Sequence, residues 1–416
     1  MSVQPSQLVA ALDLGSTKVV ALIAEVGGDA RDPVAKILGF GLERSNGVRR
    51  GVVRDIEETT RAIAKAMKDA QRMAGVEVGT VYCGIAGEHV AGRSSHGMVS
   101  VTGDEIRTSD VARVNDMASN VSFGRDHELL HAIPQEYLID QQAGINEPIG
   151  MTGSRLEVEV YLVTVLSSAL QNLRRCVERA GYQVGEFVLE PLAASLAVLT
   201  PDERELGCVI VELGGGSTNV AIFHNGKIRH TASVRFAGGH VTGDIVHGLQ
   251  VTQHDAERLK ERYGAAYEPL VAEQDVFDLP STPAQGARSA DRRMLAHIMH
   301  MRLQEILEYA LDEITRAGYH QRLPAGVILT GGGAQSPGIV ELARDVFALP
   351  ARTGVPGEKL RGLADSVETP VMAVPVGLVL YGARQVASSG FGTGGRRSLG
   401  VDKYFAPVKR WLQDFF

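Results

Sequence analysis

Three times in this chain an apolar, β-branched run ends in a turn of glycine or other small residues. That recurrence constrains the fold more than any other feature. The fullest copy is GCVIVELGGGSTNV, from Gly207 to Val220. Cys208 to Val211 has the pattern of a buried strand, and Gly214, Gly215 and Gly216 make the turn. Ser217, Thr218 and Asn219 follow, and Val220 to Phe223 resumes strand character. Such a turn lets backbone N–H groups converge on one point, and glycine leaves a phosphate room to approach. Taken alone, the stretch reads equally well as a tight hairpin with no ligand.

The second copy is LVAALDLGSTKVV, from Leu8 to Val20. It has the same grammar: a strand, an acidic residue (Asp13, matching Glu212), a small-residue turn through Gly15, Ser16, Thr17 and Lys18, then a second strand. Two such hairpins face to face would clamp a polyphosphate and its Mg²⁺, the carboxylates holding metal-bound waters. Their repetition predicts duplicated α/β lobes around a cleft. The third copy is VILTGGGA, Val327 to Ala334, with Gly331, Gly332 and Gly333 at its turn. Neither later triplet has the G-x-G-x-x-G spacing of a Rossmann site. The set resembles the nucleotide clamp of the actin and Hsp70 superfamily, whose third element cradles the adenosine.

A chain of 416 residues has room for two to four domains or subdomains. Its 44% apolar and 22% charged content is that of a folded protein, and a net charge of -7 argues against nucleic acid as the main partner. Cys83, Cys176 and Cys208 are scattered, as reduced packing residues of a cytosolic protein would be. Met1 to Gln7 is polar, so no export signal is expected, and no stretch is long and uncharged enough to span a bilayer.

Helical periodicity runs from Arg54 to Ala74, and Gly79 to Ile85 reads as a strand. From Glu88 to Thr164 the pattern changes to short strands and one helix-like piece, Ser109 to Ser119, which predicts an inserted subdomain. Ser168 to Ala180 reads as a helix closed by Gly181. Glu190–Pro191 opens the next, where Glu190 suits either a functional role or simple compensation of the helix dipole. Ile245 to Val251 looks helical, and another helix begins near His254; its Glu257 and Lys260 share a face, as a surface ion pair also would. Pro280 to Ser289 reads as a mobile loop, and Arg292 to Ile314 as a long helix. His297 and His300 lack the company a metal site needs. Pro370 to Gly382 is apolar and buried, and Ala387 to Gly400 reads as a flexible Gly/Ser linker.

The last 16 residues, VDKYFAPVKRWLQDFF, form an amphipathic helix if wound at 100° per residue. Tyr404, Phe405, Val408, Trp411, Leu412, Phe415 and Phe416 share one face; Lys409 and Arg410 lie on the other. Five basic residues from Arg396 onward stand against Asp402 and Asp414, so the tail is basic in an acidic chain. This fits an interfacial membrane anchor on an anionic surface, or a helix docked on the body or in a partner's groove. One copy would bind weakly and many copies in a polymer tightly.

The chain resembles the FtsA family of actin-like bacterial cell-division proteins over nearly its whole length. The resemblance rests on DLGSTKV, GIAG, LHAIPQEY, PIGMTGSRLE, LEPLAAS, ELGGGSTNVAIF, GGHVTGDI, AERLK, LTGGGA and the aromatic tail. It implies an actin-like α/β fold of two lobes, an inserted subdomain 1C and a C-terminal amphipathic helix. The implied boundaries are 1A at 1–87, 165–195 and 369–386; 1C at 88–164; 2A at 196–245 and 306–368; 2B at 246–305; linker 387–400; tail 401–416. It implies that ATP and Mg²⁺ are held by Asp13, Gly15, Ser16, Thr17 and Lys18 and by Glu212, Gly214, Gly215, Gly216, Ser217 and Thr218. Gly239, Glu257, Lys260, Gly331, Gly332 and Gly333 would hold the adenosine side, and Glu190 would orient the attacking water. The implied partners are the FtsZ C-terminal peptide, near Arg302, then FtsN through 1C, further copies of the chain, and the inner face of the cytoplasmic membrane at the septum. The family usually has Asp where this chain has Glu212; the extra methylene moves the carboxylate by about 1.5 Å, which predicts slow hydrolysis. A soluble ATP-dependent kinase, or an adaptor of a pilus or secretion system, would use the same clamp.

Overall fold

The computed structural model describes residues 7–28, 33–282, 286–357 and 359–389. The first lobe begins with β1 (Gln7–Leu14), β2 (Lys18–Gly28), β3 (Pro33–Arg44), the short pair β4 (Val48–Arg49) and β5 (Val52–Val53), α1 (Ile56–Ala74) and β6 (Thr80–Ile85). Asp55 caps α1 by accepting the Glu58 N–H, and its buried face carries Ile63, Met67 and Ala70, as the periodicity predicts. The insertion follows: β7 (Val90–Ser100), α2 (Thr108–Ser119), β8 (His127–Ile139), β9 (Gln142–Ile145) and β10 (Arg155–Leu166). Its sheet runs β7-β10-β8-β9 and encloses a core of its own around Tyr137, Leu156, Val158 and Leu162.

The chain returns through α3 (Ser167–Arg179), β11 (Gln183–Leu189), α4 (Glu190–Val198) and α5 (Pro201–Leu206). The second lobe holds β12 (Cys208–Leu213), β13 (Thr218–His224), β14 (Lys227–Val234), α6 (Gly238–Leu249), α7 (Gln253–Tyr263), β15 (Val276–Thr282), β16 (Gly286–Asp291), α8 (Arg292–Arg316), β17 (Val327–Thr330), α9 (Ile339–Phe347) and β18 (Ala351–Thr353). Then β19 (Leu360–Gly362) pairs with β3, so the chain is already back on the first sheet before α10 (Ala373–Ser389). The sheet orders are β11-β6-β1-β2-β3-β19 and β14-β13-β12-β17-β18. Both are mixed sheets, with an antiparallel hairpin feeding a parallel pair: β1–β2 with β6, and β12–β13 with β17.

Three expectations are corrected. The Pro/Ser-rich stretch from Pro280 is not simply a loop: β15 and β16 pair antiparallel, because Phe277 and Leu279 bury in the second-lobe core and Phe277 stacks on Tyr263 at 4.7 Å. Helix α10 runs to Ser389, into the expected linker, since extending a formed helix is far easier than starting one. Helix α6 begins at Gly238, not near Ile245, because the Gly238 and Gly239 N–H groups donate to the Gly214 and Gly215 carbonyls at 3.0 and 2.9 Å. The rest of the linker and the amphipathic tail lie outside the described residues.

The joint between the lobes is α4 against α10. The core around them takes Ala11 and Leu22 from the first sheet and Ile210, Ala221 and Phe223 from the second. The apolar stretch Pro370–Ala387 is long enough to cross a membrane, but most of it is buried here as the core of this joint. A Cβ on Gly377 would sit 1.9 Å from the Ala193 carbonyl oxygen, so the helices touch backbone to backbone. Gly377→Ala should therefore lower the unfolding free energy by about 1–3 kcal/mol through overpacking, although alanine is the better helix former. Gly243→Ala, where the added methyl meets nothing within 4 Å in α6, should leave stability equal or raised by up to about 1 kcal/mol. Chemical denaturation of the two variants checks the contrast.

Candidate functional site

One cleft gathers most of the residues that the sequence singles out. It is lined by Asp13, Gly15 to Lys18, Glu190, Glu212, Gly214 to Ser217, Gly331 and Gly332. The hairpin tips of β1–β2 and β12–β13 meet across it. A Cβ on Gly215 would lie 2.3 Å from Thr17 Cγ2, and one on Gly216 would lie 2.2 Å from Ser16 Oγ. Only glycine permits that approach. The third turn seals the base: Gly331 has φ +80, and Gly332 sits over the Lys18 ammonium, with an ideal Cβ 3.8 Å from Nζ.

The charges are concentrated. Asp13 and Glu212 are buried and Glu190 partly so, and Lys18 feels the charges of Asp13, Glu212 and Glu261. Burial pushes the Asp13 carboxyl up to about 6 against the pull of Lys18. Burial and then the Asp13 charge push Glu212 up to about 7. Glu190 is raised well above the usual range by burial, then by Glu212 and Asp13. Burial lowers the Lys18 ammonium in spite of Asp13 and Glu212. Three carboxyls in a cleft with the single Lys18 ammonium suit a further cation, and the N–H donors of the turns suit phosphate. Among the described residues no three acidic, His or Cys side chains converge to hold a metal directly.

Other singled-out residues stand outside the lining. The Thr218 hydroxyl donates to the Phe236 carbonyl at 2.8 Å, and Gly333 packs on Leu213. Glu257 and Lys260 pair at 2.7 Å, and Lys260 also donates to the buried Thr242 hydroxyl at 2.9 Å. They brace the start of α6 behind Gly238, which in turn holds the Gly214 turn. Arg302 of α8 forms a two-pronged pair with Asp244 of α6, at 2.5 and 3.2 Å, and also pairs with Glu305. Residues that sequence reading missed complete the site. Asn219, opposite Glu212 in the β12–β13 register, donates to its Oε2 at 3.1 Å. The Arg50 N–H donates to Ser16 Oγ at 2.9 Å, and Gly84 makes room for Glu190, whose Cγ would be 3.0 Å from an added Cβ. The Asn219 pairing follows from hairpin register; the Arg50 and Gly84 contacts have no local signal.

Two mixed sheets with glycine turns on a shared cleft define an actin-like protein. Solved structures agree on the fold. The chain matches a protein of the PilM–PilN type IV pilus biogenesis complex with a TM-score of 0.63 and 15% identity, over 90% of this chain and 98% of that one. It also matches MreB5 of Spiroplasma citri bound to ADP with a TM-score of 0.55 and 13% identity, over 93% and 99%. Sequence comparison narrows the class. Residues 209–377 match the family described as cell division protein FtsA, and residues 87–164 match the SHS2 domain inserted in it. Cell division protein FtsA of Pseudomonas aeruginosa is 39% identical over 100% of both chains. That of Neisseria meningitidis is 36% identical over 99% of this chain and 100% of its own. The Escherichia coli K12 protein is 34% identical over 99% and 98%. The chain belongs to the FtsA family of actin-like cell-division proteins.

The raised carboxyls give a signed pH dependence. Between roughly 4.5 and 7 the folded protein keeps a proton on Glu212 that the unfolded chain has lost, so stability falls as pH rises through that window. Glu212→Gln mimics the protonated form. Without nucleotide, the variant should match the parent near pH 4.5 and exceed it by at most about 3 kcal/mol above pH 7. Denaturant titrations of both proteins across that range check the sign.

Proposed function

We propose that the chain binds ATP with Mg²⁺ in this cleft, self-associates into filaments, and tethers FtsZ filaments to the inner face of the cytoplasmic membrane at the septum. The carrying observation is that glycines of three turns, Lys18 and the carboxyls of Asp13, Glu190 and Glu212 line one cleft of an FtsA-family chain. Gly15, Ser16, Thr17, Gly214, Gly215, Gly216 and Ser217 offer donors to phosphate oxygens, and Lys18 adds a charge to them. When bound, Mg²⁺ would neutralise phosphate charge as it develops. Glu190 is the group placed to orient a water; its raised pKa and the longer arm of Glu212 both favour slow turnover. Gly331 and Gly332 form the floor on the nucleoside side, with Glu257 and Lys260 behind.

The partners belong to the same reading. The insertion would be 1C and would meet later division proteins such as FtsN. Residues 246–305, with α7, the β15–β16 hairpin and the first part of α8, would be 2B and would meet the FtsZ C-terminal peptide. Arg302 would contribute there in exchange for Asp244, to which it is now paired. The aromatic, basic tail would be the anchor, weak in one copy and strong in a filament.

The test is co-sedimentation with anionic phospholipid vesicles in Mg·ATP, comparing the full chain with one ending at Gly400. The full chain should pellet and the shortened one should stay in solution while binding ATP equally well. Equal pelleting, or none, would remove the tail as the anchor.

A further inference from the structure

The motif LHAIPQEY is not used by the nucleotide clamp, yet it sits where the insertion touches both lobes. It lies on β8, the strand beside β10. His131 is buried, and its Nε2 accepts the Leu189 backbone N–H at 3.0 Å. Leu189 ends β11 and caps α4, whose first residue is Glu190. A backbone donor into Nε2 fixes the ring as the neutral tautomer with its proton on Nδ1, and burial, which pulls the imidazole down to about 4, keeps it so.

Four residues on, β8 reaches the other lobe. Its pairing with β10 slips between Glu159 and Val160, leaving Gln135 as an extra residue after Pro134. Proline has no N–H for the ladder, and the bulge turns the Gln135 carbonyl outward. That carbonyl accepts from Lys227 of β14 at 2.6 Å, and the Lys227 ammonium also reaches Asn146 Oδ1 at 3.2 Å. Tyr161 of β10 adds a second tie, accepting the Thr231 N–H at 2.8 Å. The insertion is thus held to the second lobe while His131 holds the residue next to Glu190.

We propose that His131 is a positioning residue for Glu190, so that the inserted subdomain completes the hydrolytic site from outside the clamp. Consecutive Cα atoms are about 3.8 Å apart, so a shift of the Leu189 peptide carries directly into Glu190. A catalytic group tolerates only about 0.5 Å of misplacement. Any partner that moves the insertion would then change turnover without touching nucleotide. This inference rests on the role proposed for Glu190.

The experiment compares the full chain with His131→Leu, which removes the acceptor at similar bulk, and His131→Gln, which keeps one. Mg·ATP affinity is read with a fluorescent ATP analogue, turnover by single-turnover hydrolysis, and the Leu189 amide by hydrogen exchange. The expected result is affinity within threefold throughout, hydrolysis about tenfold slower or more in His131→Leu, faster Leu189 exchange, and recovery of both in His131→Gln. Unchanged hydrolysis and exchange in His131→Leu would overturn the inference, as would equal loss in both variants. If the parent binds ATP but shows no turnover, the Glu190 reading has failed separately. Exchange at Leu189 then decides whether His131 holds this segment: an increase that His131→Gln reverses supports it, and no change overturns it.

Discussion

Everything in the cleft depends on the backbone contact between α4 and α10. Gly377 lies against the Ala193 carbonyl, and the core around that contact takes side chains from both sheets. The distance between the sheets is therefore set by two helix backbones rather than by flexible side chains. With the sheets so fixed, the β1–β2 and β12–β13 tips must share a narrow space. That is why Gly215 and Gly216 lack side chains where Ser16 and Thr17 have them. A bulkier residue at the joint would widen the cleft, and one at the tip would block it. The two glycine requirements are one constraint seen at its two ends.

The same geometry creates an electrostatic debt. Burial raises the carboxyls of both Asp13 and Glu212, the Asp13 charge raises Glu212 further, and one lysine does not balance them and Glu190. A chain selected for stability alone would not bury them. Clusters of this kind belong to sites whose ligand completes the charge balance. On the proposed reading, a bound cation with phosphate would relieve that imbalance. Asn219 and Lys18 hold the carboxyls in place until then, through a hydrogen bond to Glu212 and the positive charge of the lysine.

Local patterns made much of this legible. The three strand–glycine turns, the α1 face and the long α8 all follow from spacing and periodicity within about 20 residues. The features that escaped are those in which distant backbone overrides local preference. Gly238 and Gly239 look like loop residues, yet they open α6 because the Gly214 and Gly215 carbonyls accept their N–H groups. Proline and serine after Leu279 suggest a loop, yet Phe277 and Leu279 are buried and draw the segment into a hairpin. Glu257 and Lys260 were readable as a pair, but the buried hydroxyl of Thr242 turns Lys260 toward Gly238. Arg50 serves the site from an element that carries no motif, and Gly84, although it opens GIAG, gives no local sign that it makes room for Glu190.

The insertion is tied to both lobes by polar contacts that its own core does not require. A free-standing sheet would have needed only its own core, which Tyr137 and Leu156 supply. Instead its strand β8 carries a proline and a bulge, both unfavourable for a regular ladder. They release one carbonyl for Lys227 and leave His131 to serve Leu189. Lysine burial and ladder disruption each cost stability, and neither is explained by the insertion's own packing. They are explained once the insertion is a bar across both lobes. The contacts with Leu189 on one side and with Lys227 and Thr231 on the other fix the insertion against both lobes at once.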